Sequence, residues 1–124
     1  MFELSKIFTF EAAHTLRRKV EAAPSRRIHG HSYHAEVTIR GERDENGMVM
    51  DLALLTRALN DARDALDHHF LDEVEGLGPA TIENLSAWIW NKLASTCPGL
   101  ARVSVWRKSS GDRCNYFGPG GTHG

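Results

Sequence analysis

Residues 25–34 read SRRIHGHSYH, and within this stretch His29 and His31 are separated by a single glycine. In an extended chain the side chains at i and i+2 leave the same face, so these two imidazoles aim at one point. Gly30 between them places no side chain on the opposite face. A third histidine, His14, closes the alternating stretch FELSKIFTFEAAH, and the end of a neighbouring strand reaches that same point. Three neutral imidazoles around Zn²⁺ leave a fourth position open, the arrangement of catalytic rather than structural zinc. A His-x-His pair by itself is more often two surface histidines in a loop. The third histidine at a strand end is what makes the trio a metal candidate.

A second pair with chemical potential is Asp67–His68, in LDHH at 66–69. An aspartate hydrogen-bonded to an imidazole fixes its tautomer and stabilises the imidazolium, which makes a proton shuttle near neutral pH. Taken alone, the residues favour a plainer account, a histidine ending a helix against the C-terminal dipole. His34 has the wrong parity to join His31, His69 packs or hydrogen-bonds near the helix end, and His123 lies in the tail.

The elements that must position these groups follow from periodicity. Phe2, Leu4, Lys6, Phe8, Phe10, Ala12 and His14 share one parity, as in a strand. Residues 15–28 carry charges and a proline and read as a loop. HSYHAEVTIRGE (31–42) alternates and is β-branched, a second strand closed by the turn DENG at 44–47 and leading to a short strand, MVM. From Asp51, a plausible N-cap, the period changes. Leu52, Leu55, Leu59, Ala62 and Leu66 step by three or four residues, predicting a helix that ends near 66–69. After a turn-rich linker, Thr81 precedes Ile82, Leu85, Ile89 and Leu93, a second helix halted by CPG at 97–99. ARVSVWRK and RCNYFG supply two further strands. The order predicts an α+β fold, an antiparallel sheet with both helices on one face.

At 124 residues the chain fits a single domain over 1–118, with 119–124 as a flexible tail. A formal net charge of −1 with scattered Lys and Arg argues against nucleic acid as a partner. The cluster Arg17, Arg18, Lys19, Arg26 and Arg27 reads as a loop that is solvated or meets an anionic small molecule. No apolar run approaches the roughly 20 residues of a membrane span, and the N-terminus lacks the shape of a signal peptide. Cys97 and Cys114 are too few for a disulfide framework. The expectation is a soluble cytoplasmic protein.

FTFEAAH at 8–14, IHGHSY at 28–33, MVMD at 48–51, LDHHFL at 66–71 and ENLSAWIW at 83–90 together resemble the 6-pyruvoyltetrahydropterin synthase and 6-carboxytetrahydropterin synthase family. The resemblance runs in order over nearly the whole chain. It implies the tunnelling fold: a four-stranded antiparallel sheet with two helices on one side, the subunits joined into a barrel, commonly a homo-oligomer of two trimers. It implies zinc on His14, His29 and His31, and a catalytic Asp67–His68 pair acting across a subunit interface. Thr81 and Glu83 match the family's substrate-binding TxxE region in part, with Ile82 between them.

Two positions depart from the pattern. The family has a cysteine four residues before the first histidine of HGH, whose thiolate serves as general base; here stands Ser25. A thiol near pKa 8.5 can be tuned into a base, whereas an unassisted hydroxyl stays protonated. Ser25 therefore acts with help from His68 or the metal, or only as a hydrogen-bonding group. The family also grips the donor edge of the pterin ring with a glutamate in the penultimate strand. Aligning Cys114 and Tyr116 with the family's C-x-Y end puts Lys108 at that place, and an ammonium offers only donors.

Three functions are compatible with these residues. In order, they are a zinc-dependent enzyme diverged to a non-pterin small molecule with a carbonyl, carboxylate or phosphate; a pterin synthase converting 7,8-dihydroneopterin triphosphate; and a non-catalytic zinc-binding paralogue. The first would carry out lyase, cyclisation or isomerisation chemistry by way of enolisation.

Overall fold

The computed structural model describes residues 1–15 and 27–120. Ser25, four of the clustered cations (Arg17, Arg18, Lys19, Arg26) and residues 121–124 of the expected tail lie outside the described residues.

The alternating pattern that ends in His14 forms β1 (Phe2–His14), and β2 (His29–Gly41) pairs with it antiparallel along its whole length, from Phe2 opposite Gly41 to His14 opposite His29. β2 thus starts two residues earlier than expected and takes in both histidines of HGH. β3 (Leu100–Arg107) and β4 (Asp112–Tyr116) complete a four-stranded antiparallel sheet in the order β1-β2-β3-β4. The expected short strand at Met48–Met50 does not form. Both sides of β2 are taken by β1 and β3, so a returning strand has no edge to join. The segment instead closes a turn, with Asp44 N donating to Met48 O at 2.8 Å.

Helix α1 (Leu52–Leu66) starts where Asp51 accepts from Ala53 N, and α2 (Ile82–Leu93) starts where Thr81 accepts from Asn84 N. These side chains satisfy orphan amides of the first turns. Leu55, Ala58, Leu59, Ala62 and Leu66 of α1 are buried, as are Leu85, Ile89 and Leu93 of α2, while Leu52, assigned to the stripe from its spacing, is exposed. Both helices cover one face of the sheet, against Phe8, Phe10, Ala12, Tyr33, Ala35, Val37, Ile39, Val103 and Val105. The linker between the helices carries a short 3-10 turn, Leu71–Glu73. Gly99, which leads into β3, must be glycine on two counts. Its φ is 83°, and a Cβ there would sit 2.5 Å from the carbonyl oxygen of Arg40.

Among the described residues no helix is long and apolar enough to cross a membrane.

Candidate active site

The face of the sheet that carries the core also carries the histidines. His14 lies opposite His29, and Ala12 opposite His31, so all three imidazoles share the side on which Phe10 and Tyr33 are buried. Their ligand nitrogens all lie within 4.8 Å of one another.

The hydrogen bonds decide which nitrogens are available. A carbonyl can only accept, so His14 Nδ1 carries its hydrogen toward Ala80 O at 2.9 Å, and His29 Nδ1 does the same toward Arg27 O at 2.7 Å. A guanidinium can only donate, so His31 Nε2 accepts from Arg107 Nη1 at 3.3 Å. Nε2 is therefore the lone-pair nitrogen of each ring, and on His31 that lone pair is taken by Arg107. Backbone carbonyls that fix the tautomer through Nδ1 are the usual outer support of metal-ligating histidines. His14 is 1% exposed, and its Nε2 is buried with no hydrogen-bond partner among the described residues. Such an orphaned acceptor is costly unless something fills it, so the residues fit a metal ion. Burial holds the pKa of His14 below its ordinary value, which keeps the ring in the neutral form a metal needs.

A cavity of about 830 Å³ opens beside the cluster, lined in part by His14, Tyr33, Asp72, Thr81, Glu83 and Arg107. Thr81 and Glu83 reach it from the start of α2. Asp72 is held in place by the amide of Thr15 at 2.9 Å and by the Thr15 hydroxyl. Tyr33 is fully buried, its ring stacked on Phe10 at 5.0 Å, and burial pushes its hydroxyl pKa up to about 12.

Lys108 does not take the place assigned to it. It is exposed in the turn between β3 and β4, outside that lining, and its neighbour Arg107 occupies the cavity wall. The reason is parity: Val103 and Val105 face the core, so the next residue on that side is Arg107. Counting back from Cys114 and Tyr116 crossed the hairpin turn, where the alternation is broken.

Asp67 and His68 are paired as expected, with His68 Nδ1 2.9 Å from Asp67 Oδ2. They stand at the free edge of β1. Glu11 N donates to Asp67 Oδ1 at 2.8 Å, His68 N donates to Glu11 O at 2.6 Å, and Ala13 N donates to His69 O at 3.2 Å. His68 has φ 58°, a left-handed conformation that a non-glycine residue adopts only when its surroundings impose it. Here the bonds to Glu11 on both sides of the peptide impose it. The Glu11 amide, first, and then the His68 ring hold the carboxyl of Asp67 below the usual aspartate range. The His68 side chain is 77% exposed and lines a second, more open hollow with Glu11, Gly30 and Ser32. The fold thus places His14, Thr81 and Glu83 in the lining of the first cavity, with His29 and His31 clustered about His14, while the second hollow is lined by both His31 and His68. His69 caps back onto Asp67 O at 2.8 Å, and His34 stacks on Trp106 with ring centroids 5.5 Å apart.

Residues 3–119 match the 6-pyruvoyl tetrahydropterin synthase family. The chain belongs to that family. Relatives in sequence include a 6-carboxy-5,6,7,8-tetrahydropterin synthase of Synechocystis, 36% identical over 126 residues that cover 96% of this chain and 95% of the other. A dihydroneopterin monophosphate aldolase of Pyrococcus furiosus is 33% identical over 101 residues, covering 79% of this chain and 82% of its own length. Among solved structures, the 6-pyruvoyl tetrahydropterin synthase of Caenorhabditis elegans superposes with a TM-score of 0.83 at 27% identity, covering 95% of this chain and 96% of that one. The 6-pyruvoyl tetrahydropterin synthase fold is therefore the fold of this chain, four antiparallel strands with two helices on one face.

Proposed function

We propose that this member of the family is a zinc-dependent lyase-type enzyme acting on a small molecule that offers a carbonyl, carboxylate or phosphate. The observation that carries the reading is the cluster of His14, His29 and His31, whose ligand nitrogens lie within 4.8 Å of one another, with His14 Nε2 buried and without a partner among the described residues. When bound by His14, His29 and His31, zinc supplies Lewis acidity that polarises a substrate oxygen. The chain's own groups supply the proton chemistry. Asp67 holds the hydrogen of His68 on Nδ1, which leaves His68 Nε2 as the lone pair that takes a proton from carbon. His68 is 77% exposed and outside the lining of the first cavity, and in this reading it serves the site of a neighbouring copy in a homo-oligomer, in which the open edges of β1 and β4 are also covered. Ser25 contributes a hydroxyl that stays protonated at neutral pH and so assists by hydrogen bonding, not as a base. Thr81 and Glu83 position the substrate from the start of α2. The reaction class is enolisation-linked: retro-aldol cleavage, elimination, cyclisation or isomerisation in the cytoplasm.

A second reading is a pterin synthase, favoured by the 36% identity to a 6-carboxytetrahydropterin synthase over nearly the full chain. One experiment separates them. Zinc-loaded protein is incubated in deuterium oxide with dihydroxyacetone phosphate and, in parallel, with 7,8-dihydroneopterin triphosphate. Zinc-dependent deuterium exchange next to the ketone, lost in His68→Ala, with little pterin turnover, is the expected result. Rapid turnover of the pterin without exchange into the ketone installs the second reading. Inertness toward both, with a full complement of zinc, removes the enolisation chemistry from this site.

A further inference from the structure

We propose that Arg107 sets the substrate class of this site: its guanidinium takes an oxyanion of the substrate beside the three histidines. This rests on the metal-dependent reading above and narrows it.

The alternation of β3 carries Arg107 on from Val103 and Val105 into the cavity wall, where its side chain is 12% exposed. A guanidinium so covered needs partners for five donors. Nη2 donates to Asp112 Oδ2 at 3.1 Å, Nη1 donates to His31 Nε2 at 3.3 Å, and Nε is buried with no partner among the described residues. Asp112 lies across the hairpin on β4, and its side chain is 55% exposed. That pair accounts for Nη2 as a simple hairpin contact would. It leaves the rest of a covered cation with one neutral imidazole.

The bond to His31 exposes the conflict. A single lone pair on Nε2 cannot accept from Arg107 and bind a metal ion together. Metal binding therefore strips Nη1 of its acceptor and leaves, beside a divalent charge, a guanidinium whose one carboxylate partner among the described residues is the half-exposed Asp112. Both are relieved by one ligand, an anion with at least two acceptor oxygens, for which a planar guanidinium is well matched. The same geometry opposes a pterin ring edge. That edge offers an N–H and an amino group, and Arg107 has no acceptor to give them.

Carboxylates and phosphates share this chemistry, and the test separates them. Zinc-loaded protein is titrated by calorimetry with malonate, with inorganic phosphate and with neopterin, and the metal content of each sample is measured. The expected result is saturable binding of at least one oxyanion, the tighter one naming the source, and no neopterin binding at comparable concentration. Arg107→Gln should weaken the oxyanion roughly tenfold to a hundredfold, the worth of a charge-assisted bond. Arg107→Lys should recover part of it, and Arg107→Glu should abolish it and admit neopterin. Metal-free protein should bind the oxyanion more weakly than the loaded form, because Arg107 is then still engaged by His31. Protein that takes up no zinc overturns the metal-dependent reading. Full zinc with oxyanion affinity unchanged in Arg107→Gln, with no oxyanion binding at all, or with neopterin preferred by the unaltered chain, overturns the role of Arg107 alone.

Discussion

The amide of Glu11 donates to Asp67 Oδ1 at 2.8 Å, joining the free edge of β1 to the residue that ends α1. The carbonyl of Glu11 takes the amide of His68 at 2.6 Å, so one residue of the edge strand clasps both members of the Asp–His pair. A strand edge that would otherwise present unpaired groups is used here to hold a side-chain pair in a conformation it would not adopt alone. The orientation of His68 is set by backbone bonds and its tautomer by Asp67.

Asp67→Ala removes the acceptor for both the Glu11 amide and the His68 Nδ1 hydrogen. Turnover should fall by roughly a hundredfold or more, the usual worth of a positioned acid–base group, with zinc content unchanged because Asp67 stands apart from the three histidines. Paired measurements of turnover and zinc stoichiometry check this. A parallel loss of zinc would mean that the clasp holds the metal site together and not only His68.

Gly99→Ala tests the fold at its tightest backbone approach. A Cβ there meets the carbonyl oxygen of Arg40 at 2.5 Å while φ stays at 83°, so the residue cannot be accommodated without moving β2 or β3. The cost should exceed about 1 kcal/mol, read as a lower urea midpoint. Gly47 has a similar φ of 79° and nothing near its Cβ position, so Gly47→Ala should cost less.

What the sequence made legible was whatever depends on short-range periodicity. The even-numbered residues of β1 gave the core face, and the one-residue spacing of His29 and His31 gave a shared direction that the β1–β2 register then brought to His14. The two N-caps, Asp51 and Thr81, were readable for the same reason, as local chemistry between neighbours. Contacts made through the backbone across long stretches of chain carry no such mark. The clasp of Asp67 by Glu11 spans 56 positions and uses an amide that any residue would supply. The Thr15–Asp72 contact spans 57. Arg107 was within reach, because parity counted forward from Val105 finds it, but the hairpin turn between β3 and β4 broke the count made from the other end.

Acidification should destabilise the metal-free protein through His14. Burial lowers its folded pKa beneath the ordinary value of 6.5, so as pH falls through that value the unfolded chain takes up a proton that the folded ring resists. Stability therefore rises with pH in this window and is lost as pH drops from about 7 toward the lowered folded value. Urea midpoints at pH 7.5 and 5.5 should show a decrease on acidification. The decrease should be smaller in His14→Gln, which has no ring to protonate. An equal decrease in both would assign the acid sensitivity to other groups.

Zinc should stabilise the chain, and only the three histidines of one face should matter. A ligand that binds the folded state alone at a thousand times its dissociation constant adds about 4 kcal/mol, which for a domain of this size raises the melting temperature by roughly 10 °C or more. The metal-free protein should therefore melt lower, and a chelator should undo the gain. His14→Ala, His29→Ala and His31→Ala should each abolish the shift, since a site short of one ligand binds far more weakly. His34→Ala is the discriminating control. His34 lies in the same strand, two residues past Ser32, but its ring stacks on Trp106 at 5.5 Å on the opposite face of the sheet. Its removal should leave the zinc-induced shift intact. A shift that survived His31→Ala but vanished with His34→Ala would place the metal on the wrong face of β2, and the parity on which the whole site is built would fail with it.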